Sequence, residues 1–558
     1  MPTLTWIGKE KVINHHLDVP YRILEHKYGF DNGKQSKAET NSGNKIIHGD
    51  NLEALKSLLP EYEGRIKCIY IDPPYNTGKD AWQYSDRVDH PKIKSWLNKV
   101  VGKEGEDLTR HDKWLCMMYP RLKLLYKLLD KDGIILISID NNELFNLKVI
   151  LDEMFGASNF VGNIIWKNAT DNNPTQIANE HEYLLFYSRN KKWLESEWKS
   201  PNIDVKQKLL DKENQLINKY KDIDLLQKEY SKWFRENKAY LWPFDRYKHI
   251  DLGGIYTGSQ SVHNPGKEGY RYDVVHPKTN KPCTEPLMGY RFPEDTMKNL
   301  LSSKKILFGK DESKIIELKL YAKEYRAKLP SVIELDGRLG AYTLKSVFSK
   351  PKAPFKNPKT IELTEEIISF ITKSNDIILD SFAGSGTTAH AVLNLNKQDG
   401  GNRKFILVEM EDYADNITAE RVKRVMKGYG SGQKAVKGTG GSFDYYELGK
   451  PLFLENEMLN EEVGLEKIRE YVWYTETRQP YTENTTNEEH LLGTTNTTAY
   501  YFYYYKDKLT TLDDSFMRTI KIKAEQYIIY ADNCLLTNNL MQKYHIIFKK
   551  IPRDITRF

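Results

Sequence analysis

The sequence predicts an α/β fold, in which a mostly parallel sheet is covered by helices on both faces. Three observations predict it. Short apolar strands alternate with amphipathic helices early in the chain, the same alternation returns near residue 361, and a long stretch of different composition lies between. The chain of 558 residues is long enough for two to four domains, so the intervening stretch can form a domain of its own.

The first α/β region begins at residue 46. Strands are predicted at 65–72, 132–140 and 182–188, because each is a short and mainly apolar run. Between the first two strands, residues 114–129 place leucines at helical spacing and predict a helix. Strands that alternate with helices in this way are typical of a parallel sheet.

The composition changes at about residue 190. Residues 204–236 form one long helical pattern with many lysines, which are consistent either with contacts to phosphates or with a solvated helix face. Residues 237–345 are rich in glycine, proline, tyrosine and basic residues and do not continue the alternation, which predicts a separate domain. The apolar seam of the helical pattern includes Leu209, Leu216, Ile223 and Tyr230.

The α/β pattern returns with predicted strands at 375–380 and 404–410. A glycine-rich linker at 430–442 then leads to a final α+β segment with predicted strands at 499–505 and 526–532. The tyrosines of 499–505 are consistent either with a platform on which bases stack or with a strand at an interface.

These changes divide the sequence into five segments. They are an N-terminal extension without an assigned role (1–45), the first half of the α/β domain (46–190), an inserted domain (191–345), the second half of the α/β domain (346–430) and a C-terminal segment (431–558).

Composition and cysteine content exclude several classes of protein. The net charge of +6 permits local basic faces but does not by itself indicate a nucleic-acid partner. The start of the chain does not resemble a signal peptide and no run of 18 apolar residues occurs, so a cytoplasmic protein is expected. The cysteines are scattered without metal-binding spacing, so neither a disulfide framework nor a metal site is expected; they are Cys68, Cys116, Cys283 and Cys534.

The first motif with chemical meaning is Asp72-Pro73-Pro74-Tyr75, which ends a predicted strand. Proline has no backbone N–H, so carbonyl groups are the main polar groups of this turn. A carboxylate and a carbonyl can together accept both hydrogens of one amino group, and an aromatic ring can stack on the base that carries it. The alternative is a strand-end turn with an exposed tyrosine, which a buried strand before the motif makes the weaker interpretation.

The second motif is the glycine-rich turn in residues 379–390. Gly384 and Gly386 permit a sharp turn and close approach to a ligand, and Glu409 at the end of the next strand can accept hydrogen bonds from ribose hydroxyls. The spacing is an incomplete dinucleotide fingerprint, and no phosphate-binding P-loop sequence occurs. Taken alone, the turn fits any nucleotide-like cofactor or a purely structural role.

Both motifs follow predicted strands, although about 300 residues separate them. A parallel sheet can bring two such strand ends together at a topological switch point. Their joint placement is therefore more specific than either motif.

At these residues the chain resembles the amino-methyltransferases of DNA in the permuted order called the beta class. In that class the Asp-Pro-Pro-Tyr motif precedes a target recognition domain, and the Phe-x-Gly-x-Gly motif follows it, as Phe382 to Gly386 do here. The resemblance implies a Rossmann-like, circularly permuted sheet that binds S-adenosylmethionine (SAM), with 46–190 as its catalytic half, 346–430 as its SAM-binding half and 191–345 as the target recognition domain.

The resemblance also implies roles for individual residues. The catalytic set is Asp72, Pro73, Pro74 and Tyr75. The target-base pocket combines Tyr75 with Trp166 and His181. SAM is expected to contact Asp50, Asn51, Lys359, Asp380, Phe382, Ala383, Gly384, Ser385, Gly386, Thr387 and Glu409, with Asp50 at the adenine of SAM and Lys359 at its methionine end.

Within this class, the chain resembles the Mod subunits of type III restriction-modification systems. The resemblance is carried by the segments 132–156 and 380–396. Such subunits usually act as dimers, methylate adenine on one strand of a short asymmetric site in double-stranded DNA, and can pair with a Res helicase-nuclease. The C-terminal segment 431–558 is expected to serve dimer or partner contacts. The recognition sequence cannot be predicted, because recognition domains vary freely in this family.

Three functional hypotheses follow from these features. The leading one is adenine methylation of duplex DNA in a restriction or phage-defence system, in which the adenine must be flipped out of the helix. The second keeps the chemistry but changes the acceptor to the amino group of cytosine, to RNA or to a protein amide. The third is a catalytically silent DNA-specificity subunit, which the intact motifs disfavour.

Overall fold

The computed structural model describes residues 3–77, 107–169, 176–198, 204–238, 241, 244, 246–264, 266–325, 328–432, 435–482 and 488–557. The chain forms two compact units, which are Glu197–Leu329 and the rest of the chain on either side of it. Parts of the predicted 191–345 domain, among them residues 199–203, lie outside the described ranges.

The strands are numbered here in chain order. They are β1 (Arg22–Asp31), β2 (Lys34–Ser36), β3 (Lys45–His48), β4 (Ile66–Ile71), β5 (Leu129–Ile139), β6 (Phe160–Lys167), β7 (His181–Ser188), β8 (His249–Asp251), β9 (Gly254–Ser259), β10 (Ile306–Leu307), β11 (Glu317–Tyr321), β12 (Val332–Glu334), β13 (Ile377–Asp380), β14 (Lys404–Glu409), β15 (Gly428–Tyr429), β16 (Val436–Lys437), β17 (Ser442–Pro451), β18 (Leu491–Thr495), β19 (Thr498–Phe502), β20 (Thr511–Leu512), β21 (Gln526–Ala531), β22 (Asn533–Cys534) and β23 (Ile546–Lys550).

The α-helices are numbered in the same way. They are α1 (Lys9–Val12), α2 (His15–Asp18), α3 (Asn51–Tyr62), α4 (Asp107–Leu128), α5 (Leu144–Phe155), α6 (Asp204–Lys219), α7 (Ile223–Asn237), α8 (Glu294–Ser302), α9 (Arg338–Phe348), α10 (Ile361–Ile371), α11 (Thr387–Asp399), α12 (Glu420–Lys427), α13 (Leu465–Thr477), α14 (Asp514–Met517) and α15 (Asn538–Lys543).

The larger unit is built on one mixed sheet, in the order β12-β6-β7-β5-β4-β13-β14-β3-β17-β1-β2. The strands from β5 through β17 in this order run parallel, and their apolar residues are buried because helices cover both faces. The antiparallel pairs β5–β7 and β17–β1 flank this parallel centre, so the sheet is more mixed than predicted. The predicted α/β, Rossmann-like class is confirmed.

The two motifs meet at a switch point of this sheet. β4 and β13 are adjacent and parallel, with Cys68 opposite Ile378 and Ile69 opposite Leu379. The chain continues from β4 to β5 on one side and from β13 to β14 on the other. The ends of β4 and β13 therefore border the crevice in which open α/β sheets bind ligands.

The structural boundaries differ from the segments drawn on the sequence. β1, within the 1–45 extension, and β17, within the 431–558 segment, both belong to the large sheet. β12 pairs with β6, so residues near 332 belong to the sheet and not to the insert. These pairings join residues far apart in the chain, and a short strand such as β12 has no pattern from which its partner can be predicted.

The Glu197–Leu329 unit contains α6, α7 and an antiparallel sheet in the order β10-β11-β9-β8. The predicted single helix is wrong: α6 ends at Lys219, and Asp222 caps α7 by accepting a hydrogen bond from the Leu225 N–H. Ile223 is 52% exposed, because it lies at the start of the second helix and not on the buried seam.

The C-terminal part carries the predicted strands, as β19 and β21, in a sheet ordered β18-β19-β21-β23. Tyr500, Tyr501 and Phe502 are buried, so the alternative of an exposed stacking platform is wrong for these rings. Tyr500 and Phe502 share the main hydrophobic core with Trp473 of α13.

Across the described part of the chain, none of the helices is long and apolar enough to cross a membrane. The described residues also contain no group of three or more His, Cys, Asp or Glu side chains arranged to hold a metal ion.

Candidate active site

In the turn after β4, one of the two proline carbonyls already accepts a hydrogen bond from the described part of the protein and the other does not. The Trp114 indole N–H donates a hydrogen bond of 2.7 Å to the carbonyl oxygen of Pro74. The Pro73 carbonyl receives no hydrogen bond from any described residue. The pair of acceptors that the turn can offer to a ligand is therefore the Asp72 carboxylate and the Pro73 carbonyl.

A buried carboxylate fixes the end of this turn. Asn76 has a left-handed backbone with φ of 58°, and its side-chain amide donates a short hydrogen bond to Glu143. Glu143 is fully buried and also lies 2.5 Å from His111 Nδ1 and 2.8 Å from Asn146 Nδ2. These hydrogen bonds to a buried carboxylate hold the turn in one conformation.

Tyr75 connects three charged side chains. Its hydroxyl lies 3.0 Å from Asp72 Oδ1 and 2.8 Å from Glu182 Oε2. The Lys359 ammonium donates to the Tyr75 hydroxyl at 2.6 Å and to Glu182 Oε2 at 2.6 Å, and lies 3.2 Å from Asp72 Oδ1. We call Asp72, Tyr75, Glu182 and Lys359 the catalytic-edge cluster.

Burial and neighbouring charges shift the pKa values of Asp72, Tyr75 and Lys359. Burial raises the pKa of Asp72, although the Lys359 ammonium opposes the shift. Burial alone would lower the pKa of Lys359, but the charges of Asp72 and Glu182 outweigh it and the pKa is raised. Burial next to Asp72 and Glu182 raises the pKa of Tyr75 well above its usual value, so the phenol stays protonated.

Trp166 completes an aromatic wall beside the cluster. Its ring centroid lies 5.3 Å from Lys359 Nζ, and that of Tyr75 lies 4.8 Å from the same atom. The indole N–H donates to the Leu335 carbonyl at 2.9 Å, which fixes the ring. Trp166 and Tyr75 thus lie beside the same ammonium, and their role as a base pocket stays a prediction.

His181 is placed differently from the prediction. Its Nε2 lies 2.8 Å from the Tyr183 hydroxyl, and the neighbouring Glu182 is the residue that reaches Tyr75. Side chains alternate between the two faces of a strand, so His181 and Glu182 cannot both face the cluster. Sequence reasoning missed Glu182, because its partner Tyr75 lies 107 positions away in the chain.

The glycine-rich turn after β13 requires its glycines. Gly384 and Gly386 have φ of 51° and 77°, and a Cβ at either position would lie 3.2 Å from Phe355 or from the Thr418 carbonyl oxygen. The Ala383 N–H donates to the Val408 carbonyl at 3.1 Å, which ties the turn to β14. The turn ends at the N-terminus of α11, where backbone N–H groups are available.

Arg421, a buried residue that sequence reasoning missed, organises the far side of this turn. Its guanidinium donates to the hydroxyls of Ser385 and Thr387, both at 2.9 Å, and to the Ser385 carbonyl at 3.2 Å. Burial lowers its pKa to about 10, so it remains charged at neutral pH. The hydroxyls of Ser385 and Thr387 thus accept hydrogen bonds that hold the turn in place.

Two buried carboxylates border the turn. Asp380 accepts hydrogen bonds from the Phe382 N–H at 3.0 Å and from the Thr388 hydroxyl at 2.5 Å. Glu409 accepts from the Gly384 N–H at 2.7 Å and from the Glu411 N–H at 3.1 Å. Burial raises the pKa of each to about 7.

Asp50 and Asn51 lie at the start of α3, and Asn51 connects this helix to the turn after β13. Asp50 caps α3 by accepting from two backbone N–H groups, and its second oxygen lies 3.4 Å from Arg121. The Asn51 amide donates to the Ser381 carbonyl at 3.0 Å, and its oxygen accepts from Arg121 at 2.5 Å. Arg121 is buried and was not predicted.

Lys359 joins the two halves of the site. Its carbonyl oxygen lies 3.4 Å from the Thr387 hydroxyl in the glycine-rich half, while its ammonium lies in the catalytic-edge cluster. The sequence placed this side chain at the methionine end of SAM, and the structure places its charge beside Asp72.

Comparisons with known proteins agree with this geometry. A family described as DNA methylase matches residues 66–420, which include both motifs. The Mod subunit of the type III restriction-modification enzyme EcoP15I from Escherichia coli is 50% identical over 74% of this chain and 64% of its own length. The Mod subunit of StyLTI from Salmonella typhimurium is 32% identical over 68% of this chain and 54% of its own length. The type II methyltransferase M.KpnI from Klebsiella pneumoniae is 29% identical over 69% of this chain and 85% of its own length.

The chain spans less than two thirds of the length of these two Mod subunits, those of EcoP15I and StyLTI. The family match covers more than half of the chain and contains the switch point with both motifs. The chain therefore belongs to this DNA methylase family.

Proposed function

We propose that this protein transfers a methyl group from SAM to the exocyclic amino group of adenine in duplex DNA, as the modification subunit of a type III-like restriction or phage-defence system. The observation that carries the proposal is the pair of acceptors at the switch point, the Asp72 carboxylate and the Pro73 carbonyl, beside the glycine-rich turn. The similarity to Mod subunits supports the same assignment.

The two acceptors match the chemistry of an amino group. The lone pair of an adenine amino nitrogen is delocalised into the ring, so the nitrogen is a weak nucleophile. Hydrogen bonds from its two hydrogens to Asp72 and Pro73 favour a pyramidal nitrogen with an available lone pair. As the nitrogen gains positive charge during transfer, the fixed Asp72 carboxylate stabilises it.

The residues of the glycine-rich half fit SAM. Glu409 is buried with a raised pKa, so its carboxylate gains stability from further hydrogen-bond donors, and ribose hydroxyls are such donors. Gly384 and Gly386 bring the backbone close, while Asp50 and Phe382 border the same edge. When bound, SAM supplies an electrophilic methyl group on a sulfonium sulfur, and the protein contributes positioning.

The aromatic wall supports base flipping. A base inside a duplex cannot reach Asp72, so it must leave the helix at a cost of a few kcal/mol. Stacking on aromatic rings such as Tyr75 and Trp166 offsets about 1–3 kcal/mol per base. The fixed indole of Trp166 keeps one of these rings in place before the base arrives.

The remaining parts of the chain receive roles by the same proposal. We assign target recognition to the Glu197–Leu329 unit, because it folds separately from the large sheet and carries the lysine-rich helix α6. We assign dimer contacts, and contacts with a Res helicase-nuclease, to the C-terminal residues after 431. Aspartate in the Asp-Pro-Pro-Tyr motif favours adenine over cytosine, an inference from the family resemblance.

The test is methyl transfer by the purified full chain with labelled SAM, offered duplex DNA, RNA or protein in parallel, followed by nucleoside analysis. The proposal expects label in DNA only, as N6-methyladenine. Label as N4-methylcytosine, in RNA or in protein would replace the proposal with the second hypothesis. Binding of DNA without binding of SAM would instead support a silent specificity subunit.

A further inference from the structure

The Lys359 ammonium contacts one of the two acceptors that the proposed function assigns to the target amino group, the Asp72 carboxylate. It contacts the Asp72 carboxylate at 3.2 Å and the Tyr75 hydroxyl at 2.6 Å, and it lies over the rings of both Tyr75 and Trp166. An ammonium and an amino group are both donors to the same carboxylate. The amino group of a flipped base and this ammonium therefore compete for one acceptor, the Asp72 carboxylate.

The Lys359 ammonium also opposes methyl transfer electrostatically. During transfer the amino nitrogen gains positive charge, and a second cation at hydrogen-bond distance from the same carboxylate opposes that charge. The Lys359 side chain is only 12% exposed, so solvent screens the repulsion weakly. Methyl transfer consequently requires the ammonium to leave Asp72.

Glu182 offers the ammonium a second carboxylate. Its Oε2 lies 2.6 Å from Lys359 Nζ, and its Oε1 accepts a hydrogen bond of 2.7 Å from the Asn168 amide. The carboxylate is thus held from its far side and remains in place when the lysine head moves. The flexible four-carbon stem of lysine allows the head to shift while the Lys359 carbonyl stays beside Thr387.

We propose that Lys359 is an internal substitute for the target amino group, and that Glu182 is a positioning residue that retains the lysine ammonium when the base enters. Without a base, the ammonium bridges Asp72 and Glu182. With a base in place, the amino group takes Asp72 and the ammonium stays on Glu182. The proposal rests on the function proposed above.

Single-turnover methylation of plasmid DNA by the full chain, at saturating SAM, tests the proposal. Glu182→Gln keeps the shape but removes the charge, so the ammonium returns to Asp72 and the rate constant falls by about 10-fold or more. The dissociation constants for SAM and DNA stay within about 2-fold of the wild type, because no binding contact is lost. Glu182→Asp, which restores the charge on a shorter side chain, gives an intermediate rate.

The decisive variant is the double substitution Glu182→Gln with Lys359→Met. Removing the competing ammonium raises the rate about 5-fold or more above that of Glu182→Gln alone, a non-additive effect that a merely structural role of Glu182 does not produce. Thermal unfolding and SAM binding confirm that each variant is folded. Glu462→Gln, which removes the carboxylate of the exposed Lys450–Glu462 pair, is the matched control and leaves the rate unchanged.

A double variant no faster than Glu182→Gln, or a Glu182→Gln variant as fast as the wild type, would overturn the proposal while leaving the proposed function intact. A wild type that transfers no methyl group to DNA would instead overturn the proposed function, and this inference with it. If Glu182→Gln does not fold, Glu182→Asp with and without Lys359→Met provides the same comparison.

Discussion

The indole N–H of Trp114 donates a hydrogen bond to the carbonyl of Pro74, 40 residues earlier in the chain. This bond removes one of the two proline carbonyls from competition and leaves the Pro73 carbonyl for a ligand. Trp114 is fully buried in α4, so the bond is both protected and fixed in direction.

Replacing Trp114 with phenylalanine keeps a buried ring but removes the donor. We expect the rate of methyl transfer to fall about 10-fold, because the turn loses a hydrogen bond worth about 1–1.5 kcal/mol that holds its geometry. The matched control is Trp473→Phe, since the Trp473 indole also donates to a proline carbonyl, that of Pro480, at 3.1 Å. Both variants should lose stability, but only Trp114→Phe should lose methylation, as measured by single-turnover kinetics. Equal losses of activity would contradict the specific role of Trp114.

The Glu409 carboxylate gives a second prediction. Glu409→Gln should weaken SAM binding about 10-fold in calorimetric titration, because a charged acceptor is lost. Burial raises the pKa of Glu409 to about 7, and hydroxyl donors favour its ionised form, so the affinity of the wild type for SAM should fall as the pH drops below 7. Asp412→Asn, which removes an exposed carboxylate nearby, is the control and should change neither value. A Glu409→Gln variant with wild-type affinity and the same pH profile would refute the ribose contact.

The raised pKa of Asp380 predicts how the free energy of unfolding depends on pH. Burial raises its pKa from 3.8 to about 7, which corresponds to about 4 kcal/mol of stability lost as the pH rises from below 3.8 to above 7. The folded protein binds this proton more tightly than the unfolded chain, so ionisation destabilises the fold. Asp380→Asn removes the titration while the amide can still bond the Phe382 N–H and the Thr388 hydroxyl.

The free energy of unfolding of Asp380→Asn relative to the wild type should therefore increase by about 3 kcal/mol between pH 5 and pH 8. Denaturant unfolding followed by circular dichroism at both pH values measures it. A difference that does not change with pH, or that decreases, would show that Asp380 titrates as an ordinary carboxylate.

The sequence predicts those parts of the site that depend on local pattern. Asp72 to Tyr75 follow an apolar strand, and Gly384 and Gly386 follow another, so both turns could be placed before the sheet was known. Their meeting at the β4–β13 boundary was predictable from the general rule that ligands bind at switch points.

The supporting residues could not be predicted in the same way. Trp114, Arg421 and Glu182 act through contacts with residues 36 to 107 positions away, and no local pattern marks such partners. Because arginine and glutamate are mostly exposed in proteins, the sequence predicts a surface position for such a residue until its buried partner is known. Strands β1 and β17 were missed for a related reason, because their pairing joins residues far apart in the chain.

The most direct test of the central claim is base-resolution sequencing of plasmid DNA from cells that express the wild type or Asp72→Ala. The proposed function predicts N6-methyladenine in the DNA with the wild type, and none with the variant, although the purified variant still binds SAM. N6-methyladenine at the same sites with Asp72→Ala, or only N4-methylcytosine with the wild type, would contradict the account.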